Sequence, residues 1–99
     1  MHIQIPPEQI KAFCRKWKIR EFALFGSVLR DDFRPDSDVD VLVEFAPDAD
    51  PTYRDWLAME DELRAMVGGR KVDLVEKAMV VNPFRRRHIL ANNRVMHAA

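Results

Sequence analysis

From Val39 to Phe45 the chain reads VDVLVEF, a β-branched, apolar run with an acid at its second position. Such a run is a strand. Successive side chains of a strand point to opposite faces, so Val39 and Val41 turn toward a core. Asp38 and Asp40 share the other face, about 6–7 Å apart along the strand. Two carboxylates fixed side by side beside a core constrain both the fold and the chemistry of the chain.

The patterns around this strand alternate. Pro6 and Pro7 stand where a helix tolerates a missing backbone N–H, and Ile10, Phe13, Cys14 and Trp17 then recur at helical spacing as one apolar stripe. Residues 20–25 (REFALF) read as a buried strand that Gly26-Ser27 ends. A helical turn or two near Ser27 and a loop containing Pro35 follow. Residues 47–51 form a turn-rich connection. Tyr53, Trp56, Leu57, Glu60, Leu63 and Val67 keep helical spacing until Gly68-Gly69, with Tyr53 and Trp56 assigned to core packing. Residues 71–76 (KVDLVE) read as a third strand, 83–93 as a basic helix and 94–96 as a short terminal strand. Strands alternating with helices predict an α/β (α+β) fold, a small mixed sheet flanked by helices. The 99 residues are expected to form a single domain.

Composition narrows the function classes. Sixteen basic residues balance sixteen acidic ones, so no global field draws the chain to a nucleic acid or a membrane surface. No apolar stretch approaches the ~20 residues of a membrane span, and the N-terminus lacks the regions of a secretory signal. A cytoplasmic location is expected. Cys14 is the single cysteine; it has no disulfide partner within the chain and reads as a buried structural thiol.

The chemistry concentrates between Leu24 and Phe45. Gly26-Ser27 follows a strand and opens a turn, where a glycine lets backbone N–H groups approach a phosphate. The Ser27 hydroxyl can donate to the same phosphate, and Arg30 can contact a triphosphate as a forked donor; Arg34 is a weaker candidate. Asp38 and Asp40 repel one another when bare, and a divalent cation removes that repulsion. Mg²⁺ takes one or two carboxylates and completes its shell with water and phosphate oxygens. Asp73, between Val72 and Leu74, is costly in an apolar strand unless paired or coordinated. If its strand neighbours that of Asp40, three carboxylates converge and can hold two ions about 3.5–4 Å apart. Gly-Ser alone is a common turn, and Asp-x-Asp alone is usually a solvated loop. Their conjunction with a third acid reads as a metal–nucleotide site. An EF-hand is excluded because Val41 and Pro47 stand where its loop needs Gly and Glu, and no Gly-Lys-Ser/Thr follows the glycine as a P-loop requires.

These residues resemble the minimal nucleotidyltransferases of the DNA polymerase β-like superfamily, whose pattern is Gly-Ser, about ten residues, then Ser-Asp-x-Asp and an apolar strand. Gly26, Ser27, Arg30, Ser37, Asp38 and Asp40 match it, residues 69–75 are similar to the third-carboxylate strand, and Pro-Phe-Arg-Arg-Arg with Ile89-Leu90 resembles the C-terminal helix. Asp31 stands where relatives often carry Gly. The resemblance implies the polymerase β-like nucleotidyltransferase fold. It implies Asp38, Asp40 and Asp73 as catalytic, metal-holding carboxylates, with Gly26, Ser27, Arg30 and Ser37 binding the nucleotide. It implies Mg²⁺, two ions, and ATP as substrate. It also implies the role of antitoxin: attaching AMP to a tyrosine of a HEPN-domain toxin protein, which would supply the acceptor that so short a chain cannot house.

Two other readings stay open: a non-catalytic antitoxin of the same fold that binds its partner, and nucleotidyl transfer to a small molecule. Homo- and hetero-oligomers are both open. Arg85-Arg86-Arg87-His88 reads first as a solvated face of a helix and second as a phosphate or acidic-partner site. His2, His88 and His97 share no ligand spacing.

Overall fold

The computed structural model describes residues 3–30, 33–34 and 36–99; His2, Asp31 and Pro35 lie outside the described residues. Helix α1 (Pro7–Trp17) opens with proline at N1 and closes on Lys18, a non-glycine residue in the left-handed region at φ 57°. Strand β1 (Ile19–Phe25) runs into a single 3₁₀ turn, Gly26–Leu29, shorter than the expected helical turn or two. Strand β2 (Val39–Phe45), helix α2 (Tyr53–Met66) and strand β3 (Val72–Glu76) follow, then a 3₁₀ turn at Lys77–Met79, helix α3 (Pro83–Ala91) and strand β4 (Asn93–Ala98).

The sheet order is β3-β2-β1-β4. β1 pairs antiparallel with β2 and with β4, and β2 pairs parallel with β3. The expected mixed sheet is therefore present, with the C-terminal strand longer than predicted. The basic helix stops early because Asn92 and Asn93 cap it from their side chains. Asn92 Nδ2 donates to the His88 carbonyl at 2.8 Å, and Asn93 Nδ2 donates to the Ile89 and Leu90 carbonyls.

Helix α2 has a start signal in Thr52-Tyr53-Arg54-Asp55 that hydrophobic periodicity alone does not reveal. Thr52 Oγ1 accepts from the Asp55 N–H at 3.1 Å, and Asp55 Oδ2 accepts from the Thr52 N–H at 3.0 Å. This reciprocal capping box satisfies two donors that the first helical turn leaves unpaired. Thr52→Ala is expected to cost about 1 kcal/mol, read as a lower denaturant midpoint with an unchanged slope.

The main core lies on one face of the sheet. Ile10, Phe13 and Cys14 of α1 and Met59 and Leu63 of α2 cover Phe22, Leu24, Val39, Val41 and Val43, all buried. Phe13 and Phe22 meet edge to face at 6.0 Å. Burial pushes the Cys14 thiol up to about 11, as expected for an inert structural cysteine. Trp17 is half-buried at the edge of this core, its indole N–H donating to Glu62 Oε1 at 3.3 Å. Trp56 packs at the edge against Phe45. Tyr53 is not a core residue: it is the first residue of α2 and 78% exposed, because the helical stripe extends one turn past what it covers.

A smaller cluster of Ala23, Phe25, Leu42, Val80 and Ile89 seals the opposite face beneath α3. Arg86 clamps this layer by donating to the Lys77 and Val80 carbonyls. On the same face Glu21 and Glu44 are register partners on β1 and β2. Lys77 spans both, at 3.1 Å and 3.3 Å, and its hydrogen bond to Glu21, then that to Glu44, hold its pKa above the usual lysine value against a desolvation that works the other way.

Candidate active site

The same sheet face carries a second group of acids at its other end. Val39 and Val41 are fully buried in the main core, so alternation turns Asp40 to the α3 side, as expected; Asp38 stands just before the strand, close enough for its charge to act on Asp40. The parallel register sets Asp40 directly beside Asp73 on β3, and the antiparallel register sets Phe25 beside Asp40 on β1. Gly26, the next residue, therefore lies against the Asp40 carboxylate. It has φ +76°, and a Cβ placed there would collide with the Asp40 carboxylate, 3.1 Å from its Cγ. Both the backbone conformation and the lack of a side chain are needed at this position.

Asp40 is half-buried, and its carboxyl is pushed up to about 6. Desolvation is the largest cause, followed by the charges of Asp73 and Asp38; Arg30 and Arg85 oppose the shift. The contrast with the Glu21–Glu44 pair is informative. There Lys77 neutralises the strand-paired acids. Among the described residues no ion pair reaches Asp38, Asp40 or Asp73.

The three acids form a row, not a closed ring. Among the described residues no three His, Cys, Asp or Glu side chains stand close enough to hold one ion together. A cation here would take one or two protein carboxylates and fill its shell from water and phosphate, the habit of Mg²⁺. The all-carboxylate donor set and a negative charge that Arg30 and Arg85 offset only in part fit such an ion. Asp73 is exposed on the edge strand, so the expectation that its burial demands a partner does not hold. What sets it beside Asp40 is the β2–β3 register.

Asp40 lines a cleft of about 470 Å³ together with residues including Gly26, Arg30, Arg85, His88 and Asn92, while Asp38 and Asp73 are not on its wall. Arg30, offered by the sequence as a triphosphate contact, lines this cleft with Asp40. Ser27 is half-buried next to Gly26, in the turn and not on the cleft wall. Ser37 builds the approach to Asp38: its Oγ accepts from the Arg34 N–H at 2.9 Å, and its own N–H donates to the Arg34 carbonyl. Arg34 is exposed and does not line the cleft; its carbonyl accepts from Arg70. Arg85 and His88 do line it. The basic run therefore divides by helical position, since Arg86 serves packing and Arg87 faces solvent.

The raised Asp40 carboxyl has a consequence for stability. The folded protein holds this proton more tightly than the unfolded chain, so the metal-free protein loses stability as pH rises from about 4 to about 6. Allowing for the water that reaches this half-exposed group, the loss is about 1–2 kcal/mol. Asp40→Asn is expected to raise the Tm of the metal-free protein at pH 7.5 and leave it unchanged at pH 4, measured by calorimetry in chelator. A drop in Tm at pH 7.5 would show that the carboxylate is stabilised and not strained.

Comparison with known proteins agrees with this construction. The model of the nucleotidyltransferase domain family matches residues 7–96. A candidate protein adenylyltransferase of Methanocaldococcus jannaschii is 38% identical over 79 residues, covering 80% of this chain and 78% of that protein. The protein adenylyltransferase MntA of Thermococcus cleftensis is 38% identical over 68 residues, 69% of this chain and 66% of that protein. A solved candidate minimal nucleotidyltransferase superposes with a TM-score of 0.67 at 30% identity, covering 88% of this chain and 85% of that one. A chain of a toxin–antitoxin crystal structure with AMP-PNP superposes with a TM-score of 0.73 at 18% identity, covering 96% and 75%; it shares the fold. The parallel β2–β3 pair with its acids in register, the glycine turn laid against them and the family match over nearly the whole length agree: this chain belongs to the nucleotidyltransferase domain family, among its minimal members.

Proposed function

We propose that this protein is the antitoxin of a toxin–antitoxin pair and transfers AMP from ATP to a hydroxyl, a tyrosine's, on a partner HEPN-type toxin in the cytoplasm. The observation that carries the reading is Asp40, beside Asp73 in register, near the charge of Asp38 and against Gly26, on the wall of a cleft with Arg30 and Arg85. It offers negative charge for a divalent ion and positive charge for a triphosphate within one small site. The names of the relatives, adenylyltransferases and a toxin–antitoxin complex, support the same assignment.

In this reading Asp38 and Asp40 hold Mg²⁺, two ions with Asp73 contributing to the second. When bound, the divalent ion neutralises charge on the phosphate oxygens and lowers the cost of in-line displacement. Gly26 admits a phosphate close to the backbone, and Ser27 and Arg30 donate to the triphosphate. Asp73, exposed at the sheet edge, accepts the proton of the incoming hydroxyl. The acceptor oxygen bonds to the α-phosphorus, the bond from that phosphorus to the bridging oxygen breaks, and pyrophosphate leaves with the electron pair. Ser37 acts by fixing the turn that delivers Asp38. The chain, residues 1–99, works as a single domain.

The test is intact-mass measurement of a HEPN-type toxin from the same genome, incubated with ATP, Mg²⁺ and either this chain or its Asp38→Ala/Asp40→Ala variant. Addition of one or more AMP units by the wild type alone is the expected result. Tight binding with no mass gain would overturn catalysis on this partner and leave an antitoxin that acts by contact.

A further inference from the structure

A second groove, of about 460 Å³, opens on the far side of Arg85 from the acid row. Tyr53 and Trp56 of α2, Leu74 and Val75 of β3 and Met79 give it an apolar lining, with Arg85 and Glu76 as its charged residues. Its apolar residues are not sealed: Tyr53 is 78% exposed and Met79 72%. Val81 and Phe84, on the segment between the groove residues Val80 and Arg85, are 83% and 82% exposed. Nothing in the core requires them, and large apolar side chains gathered in one region of a small protein mark an interaction surface.

Two facts identify what this surface fits. The first is position: Leu74 and Val75 directly follow Asp73, and Arg85 lines both the groove and the cleft containing Asp40. An occupant of the groove is therefore held against the site of transfer. The second is charge. Helix α3 carries Arg85, Arg87 and His88 outward and no acid, and Arg54 is exposed beside Tyr53. The lining itself carries one base, Arg85, and one acid, Glu76, so the apolar floor is basic on its α3 side and complements an apolar ridge with carboxylates on that side.

We infer that the groove between α2, β3 and the start of α3 is the docking surface for the protein acceptor, which presents an apolar segment with acidic side chains toward α3. The inference rests on the adenylyl-transfer reading for the identity of the acceptor. Surface clusters of this kind place most binding energy in a few aromatic and apolar anchors, here Tyr53, Met79 and Phe84.

The experiment compares wild type with Met79→Glu/Phe84→Glu, using the toxin of the transfer assay as the probe. Both positions are exposed and outside the nucleotide site, so the Tm and the affinity for Mg·ATP of the chain alone are expected to stay unchanged. Toxin affinity, by calorimetry with a non-hydrolysable ATP analogue, is expected to fall by about 30-fold or more. Transfer is expected to show a raised KM for toxin with kcat kept. Affinity within about threefold of wild type overturns the docking surface, and if AMP is still transferred the adenylyl-transfer reading survives it. Loss of affinity in the variant where the wild type binds but transfers nothing overturns the transfer reading and leaves the surface standing. Failure of the wild type to bind the toxin, or a wild-type self-dimer that the variant abolishes in sedimentation, overturns the surface.

Discussion

Asp40→Asn is expected to lower adenylyl transfer by at least about a thousandfold while making the metal-free protein more stable at neutral pH. The two effects share one origin. Asp40 is pressed between Gly26 on one side and Asp73 on the other, half out of water, with Asp38 adding to the repulsion. An amide removes that repulsion and with it the charge that attracts a divalent ion. Thermal melts with and without Mg²⁺ separate the contributions: the ion is expected to raise the Tm of the wild type and not that of the variant. Transfer that survives the substitution within about tenfold would remove Asp40 from the reaction. Activity should also decline as pH falls through about 6, where a proton competes with the cation for this carboxylate.

The second large effect is expected from Gly26→Ala. Two penalties coincide there. The φ of +76° is strained for any residue with a Cβ, costing roughly 1–2 kcal/mol. The added methyl also meets the Asp40 carboxylate, so either the turn or the acid must move. Displacing a ligand-bearing carboxylate by a fraction of an ångström is expected to lower transfer by about a hundredfold or more. Gly68 and Gly69 provide the control: both have positive φ, 70° and 85°, with nothing within 4 Å of an added Cβ. Alanine at either should carry the backbone cost and leave transfer at wild-type levels in the folded protein. If Gly68→Ala and Gly26→Ala lose activity equally, the collision with Asp40 is irrelevant and only the backbone matters.

Local chemistry determined much of this protein from the sequence alone. The period-two run of Val39–Phe45 sent Val39 and Val41 to the core and Asp40 to the other face. Periodicity of 3.6 placed α1 and most of α2, and Gly68-Gly69 ended α2 because both adopt positive φ. The Gly-Ser turn and paired acids marked the candidate site because their residue types have few other uses in that order. Capping was less legible: Thr52 with Asp55, and Asn92 with Asn93, act through side-chain hydrogen bonds that leave the hydrophobic pattern unaltered.

What only the tertiary structure decided concerns pairs distant in sequence. That Asp73 stands beside Asp40 follows from a parallel β2–β3 register, and registers are set by packing across the sheet, not by either strand alone. Burial, the reason the sequence offered for noticing Asp73, is not what the fold does with it, because β3 is an edge strand. The basic run of α3 read as one solvated face, yet docking α3 over Leu42 and Phe25 separates it: Arg86 clamps a turn, and Arg85 and His88 enter the cleft. Tyr53 continued the apolar stripe of α2 and was assigned to the core on that spacing. Helical periodicity specifies which side a residue faces, and only the extent of the neighbouring elements decides whether anything is there to cover it.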